Sequence, residues 1–179
     1  MKFIKLVLIT MVAVVVMNAL HELGHALMAK LLGYEVFYNI NSVSPVAENY
    51  REAWHWHAVD LAGPIVTIAL ALLGARWAVG PGGKATIGAA MVFVGLMMRI
   101  LATVASMNNP NDESRVSEAM GIGYWTLPAI VIAILAFLML GVARRRRLGW
   151  RFFLGAFIGA SFGFAAVVMG EPHLPDLRF

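Results

Sequence analysis

Long apolar runs broken by short polar stretches dominate the chain. Five of them, near residues 3 to 32, 58 to 80, 85 to 107, 122 to 143 and 150 to 169, reach the roughly 20 helical residues that cross a bilayer core. The first exceeds what a span requires, so its far end is expected in the interface or in a protein-lined cavity. After it the pattern changes to period two: Val36, Tyr38 and Ile40 alternate with Phe37, Asn39 and Asn41, as in a short strand that Pro45 ends. A second extended piece through Trp54-His55-Trp56-His57 would complete a small hairpin or re-entrant loop; an interfacial aromatic belt is the other reading of those residues. The expected fold is an all-α polytopic membrane protein of about five transmembrane helices, with a short β-hairpin or re-entrant loop after the first.

Composition supports the spans. Of 179 residues, 60% are hydrophobic and 13% charged, more apolar surface than one soluble core uses, so the surplus faces lipid. The formal charge of +4 comes from basic residues at the ends of spans rather than on a soluble face, which argues against nucleic acid as a partner. Met1 to Lys5 followed by an apolar run resembles a signal peptide, but Met17 is bulky for a cleavage site near Ala19 and the apolar pattern resumes beyond His25, so an uncleaved helix is expected.

Successive loops must alternate sides. Lys2, Lys5, Arg76, Lys84, Arg144, Arg145, Arg146, Arg147 and Arg151 then share one side, and Lys30, Arg51, Arg115 and Arg178 the other. The excess of positive charge predicts a cytoplasmic amino terminus, with segments 33 to 57 and 108 to 121 together on the opposite side. No repeat or appended soluble domain interrupts the pattern, so residues 1–179 read as one membrane domain. Gly155, Gly159 and Gly163 form a small-residue ridge in the last span, suited to close packing within the chain or to a homodimer.

Chemistry concentrates at the end of the first span. In His21-Glu22-Leu23-Gly24-His25 the two imidazoles, four residues apart on one helical face, can reach one cation, and Glu22 beside them can hold and deprotonate its water. Two histidines and a glutamate in an apolar helix are costly without partners, which favours a zinc site, one ion per chain, over an accidental match. Asn18 extends the same face, where it could orient a ligand or substrate. With no cysteine, ligands must be His, Asp or Glu, and hydrolytic zinc usually takes three of them. Asp112, in Asn108-Asn109-Pro110-Asn111-Asp112-Glu113, lies after the third span on the same side and is the preferred third ligand, although Asp and Asn there also suit a helix cap. Glu48, Glu52, His55, His57 and Asp60 are alternatives. Arg99, inside the third span, needs a counter-ion, with Asp60 or Glu22 expected, or a water-filled cavity; stabilising an oxyanion is a sharper role for it.

The membrane-embedded His21-Glu22-x-x-His25, the Ala62-Gly63-Pro64 opening of the second span and the Asn-Pro-Asp cluster after the third together resemble the site-2 protease family of intramembrane zinc metalloproteases. The resemblance covers residues 1–120, a metalloprotease-like core, and leaves two additional helices in 121–179. It implies zinc held by His21, His25 and Asp112, Glu22 as general base, and a transmembrane segment of another protein as substrate, with Asn108 and the Val36 to Ile40 strand as candidate substrate contacts. Three features differ from the family: Glu113 follows Asp112 where glycine is usual, Thr67 replaces a common asparagine, and the charge count puts the site opposite the cytoplasm. A membrane-anchored zincin acting on soluble or unfolded chains, and a non-catalytic metal-binding assembly protein, are the alternative functions.

Overall fold

A computed structural model describes residues 3–47 and 49–179. The basic Lys2 and the alternative ligand Glu48 lie outside the described residues. Five helices are long and apolar enough to cross a membrane: α1 (Phe3–Leu31), α2 (Ala53–Val79), α3 (Ala85–Ala105), α5 (Thr126–Arg146) and α6 (Trp150–Gly170). A short helix, α4 (Asp112–Ala119), lies between α3 and α5, and three strands, β1 (Val36–Asn39), β2 (Ser42–Pro45) and β3 (Leu177–Arg178), form one small sheet. The chain is thus a multi-pass helical membrane protein.

α1 is the centre of the bundle, packed against α2, α3 and α6, while α5 closes over α2 and α3. Buried Val14 and Met17 of α1 meet Val92 and Val94 of α3 and Ala156 and Ala160 of α6 in one apolar cluster. With lipid on the outside, close backbone approach must do much of the holding, and small residues permit it. A Cβ on Gly159 would strike the Val7 carbonyl and approach Thr10 Cβ to 2.9 Å; one on Gly163 would come within 2.7 Å of Val14 Cβ. The glycine ridge is therefore spent on the α1–α6 contact within the chain, and a homodimer through it would require that contact to open.

Gly33, at φ +82, ends α1 in the left-handed conformation that a glycine adopts without steric cost, and Tyr34 N–H bonds back to the Ala29 carbonyl. The chain then turns into an antiparallel hairpin, with Val36 opposite Pro45 and Asn39 opposite Ser42. The second strand is thus Ser42–Pro45, whereas Trp54-His55-Trp56-His57 forms the first turns of α2, so the extended reading of those residues is corrected. The chain end supplies the third strand: β3 pairs antiparallel with β1, Tyr38 opposite Leu177, giving the order β2-β1-β3.

Candidate metal centre

His21 and His25 occupy successive turns of α1, both almost fully buried. α2 crosses at this level, and the crossing depends on two glycines. A Cβ on Gly24 would come within 2.8 Å of Val66 Cγ2, and one on Gly63 would overlap His25 Nε2 and lie 2.6 Å from His21 Cε1. Gly63 therefore makes the space that the two imidazoles share. One residue on, Pro64 has no N–H for the Asp60 carbonyl one turn back, loosening the helix where Val59 turns its carbonyl to His25.

The outer nitrogens of both rings are fixed. His25 Nδ1 donates to the Val59 carbonyl at 2.6 Å, and His21 Nδ1 lies 2.9 Å from Thr67 Oγ1. Thr67 spends its own proton on the Gly63 carbonyl, 3.2 Å away, so it receives the one on His21 Nδ1. Neutral imidazoles held this way turn bare Nε2 lone pairs inward. Those two atoms are 3.1 Å apart, and Asp112 Oδ2 lies 3.3 Å from His21 Nε2 and 3.6 Å from His25 Nε2. A proton can bridge only two of three converging electron pairs. Tetrahedral zinc, with bonds of about 2.0–2.2 Å, spaces its ligands about 3.3–3.6 Å apart, so the three atoms fit one face of its coordination shell.

Glu22 completes a second grouping with the same histidines, its carboxylate and their ring nitrogens all within 4.8 Å of one another. Asp112 lies closer to the nitrogens than that limit, and Glu22 is partly exposed to the cleft, so Asp112 suits a ligand and Glu22 a base acting through water. Of the alternative ligands, Asp60 and His55 are engaged and Glu52 is exposed, whereas His57, in the first turns of α2, keeps a buried Nδ1 without a partner among the described residues. Both Asp60 oxygens are taken by Arg115, at 2.7 and 2.9 Å; His55 bonds the Tyr34 hydroxyl at 2.6 Å; Glu52 is exposed at the start of α2.

Asp112 is delivered by α4. The neighbouring Asn111 is the cap, its side chain accepting from Ser114 N–H at 2.9 Å, which leaves the Asp112 carboxylate free to face the histidines. Arg99 Nη1 reaches Asp112 Oδ2 at 3.3 Å and Glu113 Oε1 at 3.1 Å, and Arg115 holds Asp112 Oδ1 at 3.0 Å. Arg99 thus pairs with Asp112 and Glu113 rather than with Asp60 or Glu22, a correction to the sequence expectation. Burial opposes ionisation of Asp112, while the Arg99 and Arg115 guanidiniums against its two oxygens favour the carboxylate. Asp60, Asp112 and Glu113 share Arg99 and Arg115, which leaves one negative charge in excess beside the histidines.

A cleft of about 460 Å³ opens beside the histidines, lined by Glu22, His25, Asn109, Asp112, Arg115 and the Asn41 to Val43 edge of the hairpin. Asn109 lines it, whereas Asn108 is exposed alongside. Asn18 does not face the cleft for a ligand but bonds the Ile40 carbonyl at 2.6 Å, and Tyr38 hydroxyl donates to the Ala19 carbonyl at 3.0 Å, so the hairpin is tied to α1 just before the His pair. Both edges of β1 are paired, so the Val36 to Ile40 strand offers no free edge; the open edges belong to β2 and β3, and β2 is the strand that lines the cleft. Sequence reasoning passed over the chain end: Glu171 accepts from Asn41 Nδ2 at 2.9 Å and Ser42 Oγ at 3.1 Å, and Asp176 from Asn39 Nδ2 at 2.9 Å.

Fold and site together define a multi-pass helical membrane protein that converges two histidines and a carboxylate on one point beside a polar cleft. Comparison with models of known protein families, with curated proteins and with solved structures finds no match.

Proposed function

We propose that the protein is a zinc-dependent intramembrane endopeptidase that cuts a transmembrane segment of another membrane protein. The reading rests above all on the triangle of His21 Nε2, His25 Nε2 and Asp112 Oδ2, with both Nδ1 atoms tied off behind it. The resemblance to the site-2 protease family supplies the peptide substrate; the motif alone supports metal-assisted hydrolysis. Zinc held by these three residues would supply a Lewis acid that acidifies water and polarises a carbonyl.

The remaining work falls to the chain. Glu22, on the cleft side of the His pair, removes the proton of the attacking water and passes it to the leaving amide nitrogen. Thr67 and the Val59 carbonyl keep the imidazoles in the tautomer that points Nε2 inward. A scissile carbonyl inside an intact helix is hydrogen-bonded and shielded, so the substrate must unwind locally. The free edge of β2 beside the cleft suits capture of the unwound stretch by strand addition. The proposed orientation puts the amino terminus in the cytoplasm and the cleft on the opposite side; the charge count supports it.

The test is cleavage of a transmembrane reporter reconstituted with the purified protein. Wild type is expected to cut it and Glu22→Gln to lose at least about a hundredfold in rate, while prolines placed within Ser42 to Ser44 slow cleavage and spare zinc. Equal cleavage by Glu22→Gln would remove Glu22 from the mechanism, and zinc-loaded wild type that cuts no reporter would favour a metal-binding protein without catalysis.

A further inference from the structure

The end of the molecule opposite the metal centre has a separate chemistry. Lys5, Arg76, Lys84, Arg144, Arg145, Arg146, Arg147 and Arg151 gather there, with Lys2 also in that segment of the sequence, and none of the Asp and Glu side chains among the described residues does. The nine described ones fall in the half that carries the cleft. None of the ion pairs among the described residues involves the basic group. Such a face attracts anions, and at a membrane the anions within reach are lipid headgroups.

One place on that face is built as a receptacle. Where α3, α5 and α6 meet, a cavity of about 220 Å³ is lined by Arg146 and Arg147, by Ala85, Thr86 and Ala89 of α3, and by Leu148 and Phe152. The lining combines two arginines with apolar side chains, the two chemistries that a phospholipid presents in its phosphate and its acyl chains. Arg144 and Arg145, equally charged and equally exposed, do not line it. Arg147 also stands at φ 51 and ψ 48, the one non-glycine residue with positive φ among the described residues, in the tight turn between α5 and α6. Glycine fills such a position without steric cost, so an arginine there is kept despite its backbone rather than for it.

We infer that this junction binds the headgroup of an anionic glycerophospholipid, with the Arg146 and Arg147 guanidiniums on the phosphate and the glycerol end of the acyl chains against Leu148 and Phe152. The alternative account, arginines that only orient the chain during insertion, needs positive charge at this end but no particular arrangement of it.

Native mass spectrometry of the full-length protein, released from nanodiscs holding equal phosphatidylglycerol and phosphatidylcholine, separates the two. Wild type and Arg144→Gln/Arg145→Gln are expected to retain one phosphatidylglycerol, and Arg146→Gln/Arg147→Gln to lose at least tenfold of that occupancy. Arg147→Gly relaxes the turn, so it should fold at least as well as wild type while still weakening lipid retention, which keeps the test meaningful if the double variant misfolds. Thermal stability in detergent should rise on adding phosphatidylglycerol and not on adding the same concentration of inorganic phosphate. Equal loss from both arginine pairs, no preference over phosphatidylcholine, or an equal effect of inorganic phosphate would overturn the site.

Discussion

At the scale of single residues, the centre works by giving the outer nitrogen of each imidazole a partner, so that the inner nitrogens face Asp112. Thr67 illustrates it: forty-six residues from His21 in sequence, it fixes the ring through one hydroxyl that accepts from Nδ1 and donates to Gly63. Replacing it by valine preserves shape and removes that bond, and zinc affinity measured by chelator competition should fall roughly 10–100-fold. Arg99 and Glu113 act on the other side of the site. Their mutual pairing deep in the protein accounts for a glutamate directly after Asp112, because the arginine that steadies the aspartate needs a second carboxylate to balance it. The double change Arg99→Met/Glu113→Leu removes both charges together, so the chain is expected to fold while zinc affinity drops by a comparable factor; unchanged affinity would show that Arg115 alone positions Asp112. The His-Glu-x-x-His residues were legible in the sequence because their spacing is local. Their outer partners were not, since Val59 and Thr67 come from another helix and neither residue type announces such a role.

At the scale of elements, hydropathy located all five spans, because a lipid-facing helix writes its length into an unbroken apolar run. The sheet was only half legible. β1 alternates strongly, but Ser42-Val43-Ser44-Pro45 is short and polar, and β3 spans two residues of a tail interrupted by Pro172 and Pro175, so neither strand carries a pattern of its own. The misreading of Trp54 to His57 has the opposite cause: interfacial aromatics mimic alternation inside a helix. Two glycine substitutions test the packing. Gly63→Ala places a methyl group on the space of the two imidazoles and should abolish stoichiometric zinc binding even in folded protein. Gly159→Leu overpacks the α1–α6 contact and should cost about 1–3 kcal/mol of stability. The tail is held to β1 in part by Arg178 on Glu35, whose hydrogen bond and charge lower the Glu35 carboxyl from its ordinary value. A depressed carboxyl contributes above its unfolded value and loses the contribution as pH falls, so hydrogen exchange at Val36 and Phe179 should quicken on acidification through the carboxylate range.

Across the whole molecule, charge among the described residues is sorted by end: the carboxylates lie in the half that holds the metal centre and cleft, and the opposite end is basic. The span count already required segments 33 to 57 and 108 to 121 to share a side, and the Arg115–Asp60 and Asp112–His21 contacts tie segment 108 to 121 to the two helices that flank segment 33 to 57. Because the chain has no cysteine, sidedness can be read with single introduced thiols. In intact cells a membrane-impermeant maleimide is expected to label Ala47→Cys and spare Gly83→Cys; the reverse pattern would invert the orientation. The central claim is that His21, His25 and Asp112 hold one zinc ion with Glu22 outside the ligand set. Zinc per protein in purified, folded wild type, His21→Ala, Asp112→Ala and Glu22→Ala tests it most directly. The predicted result is one zinc in wild type and in Glu22→Ala and none in the other two; zinc retained after Asp112→Ala, or absent from wild type, would contradict it.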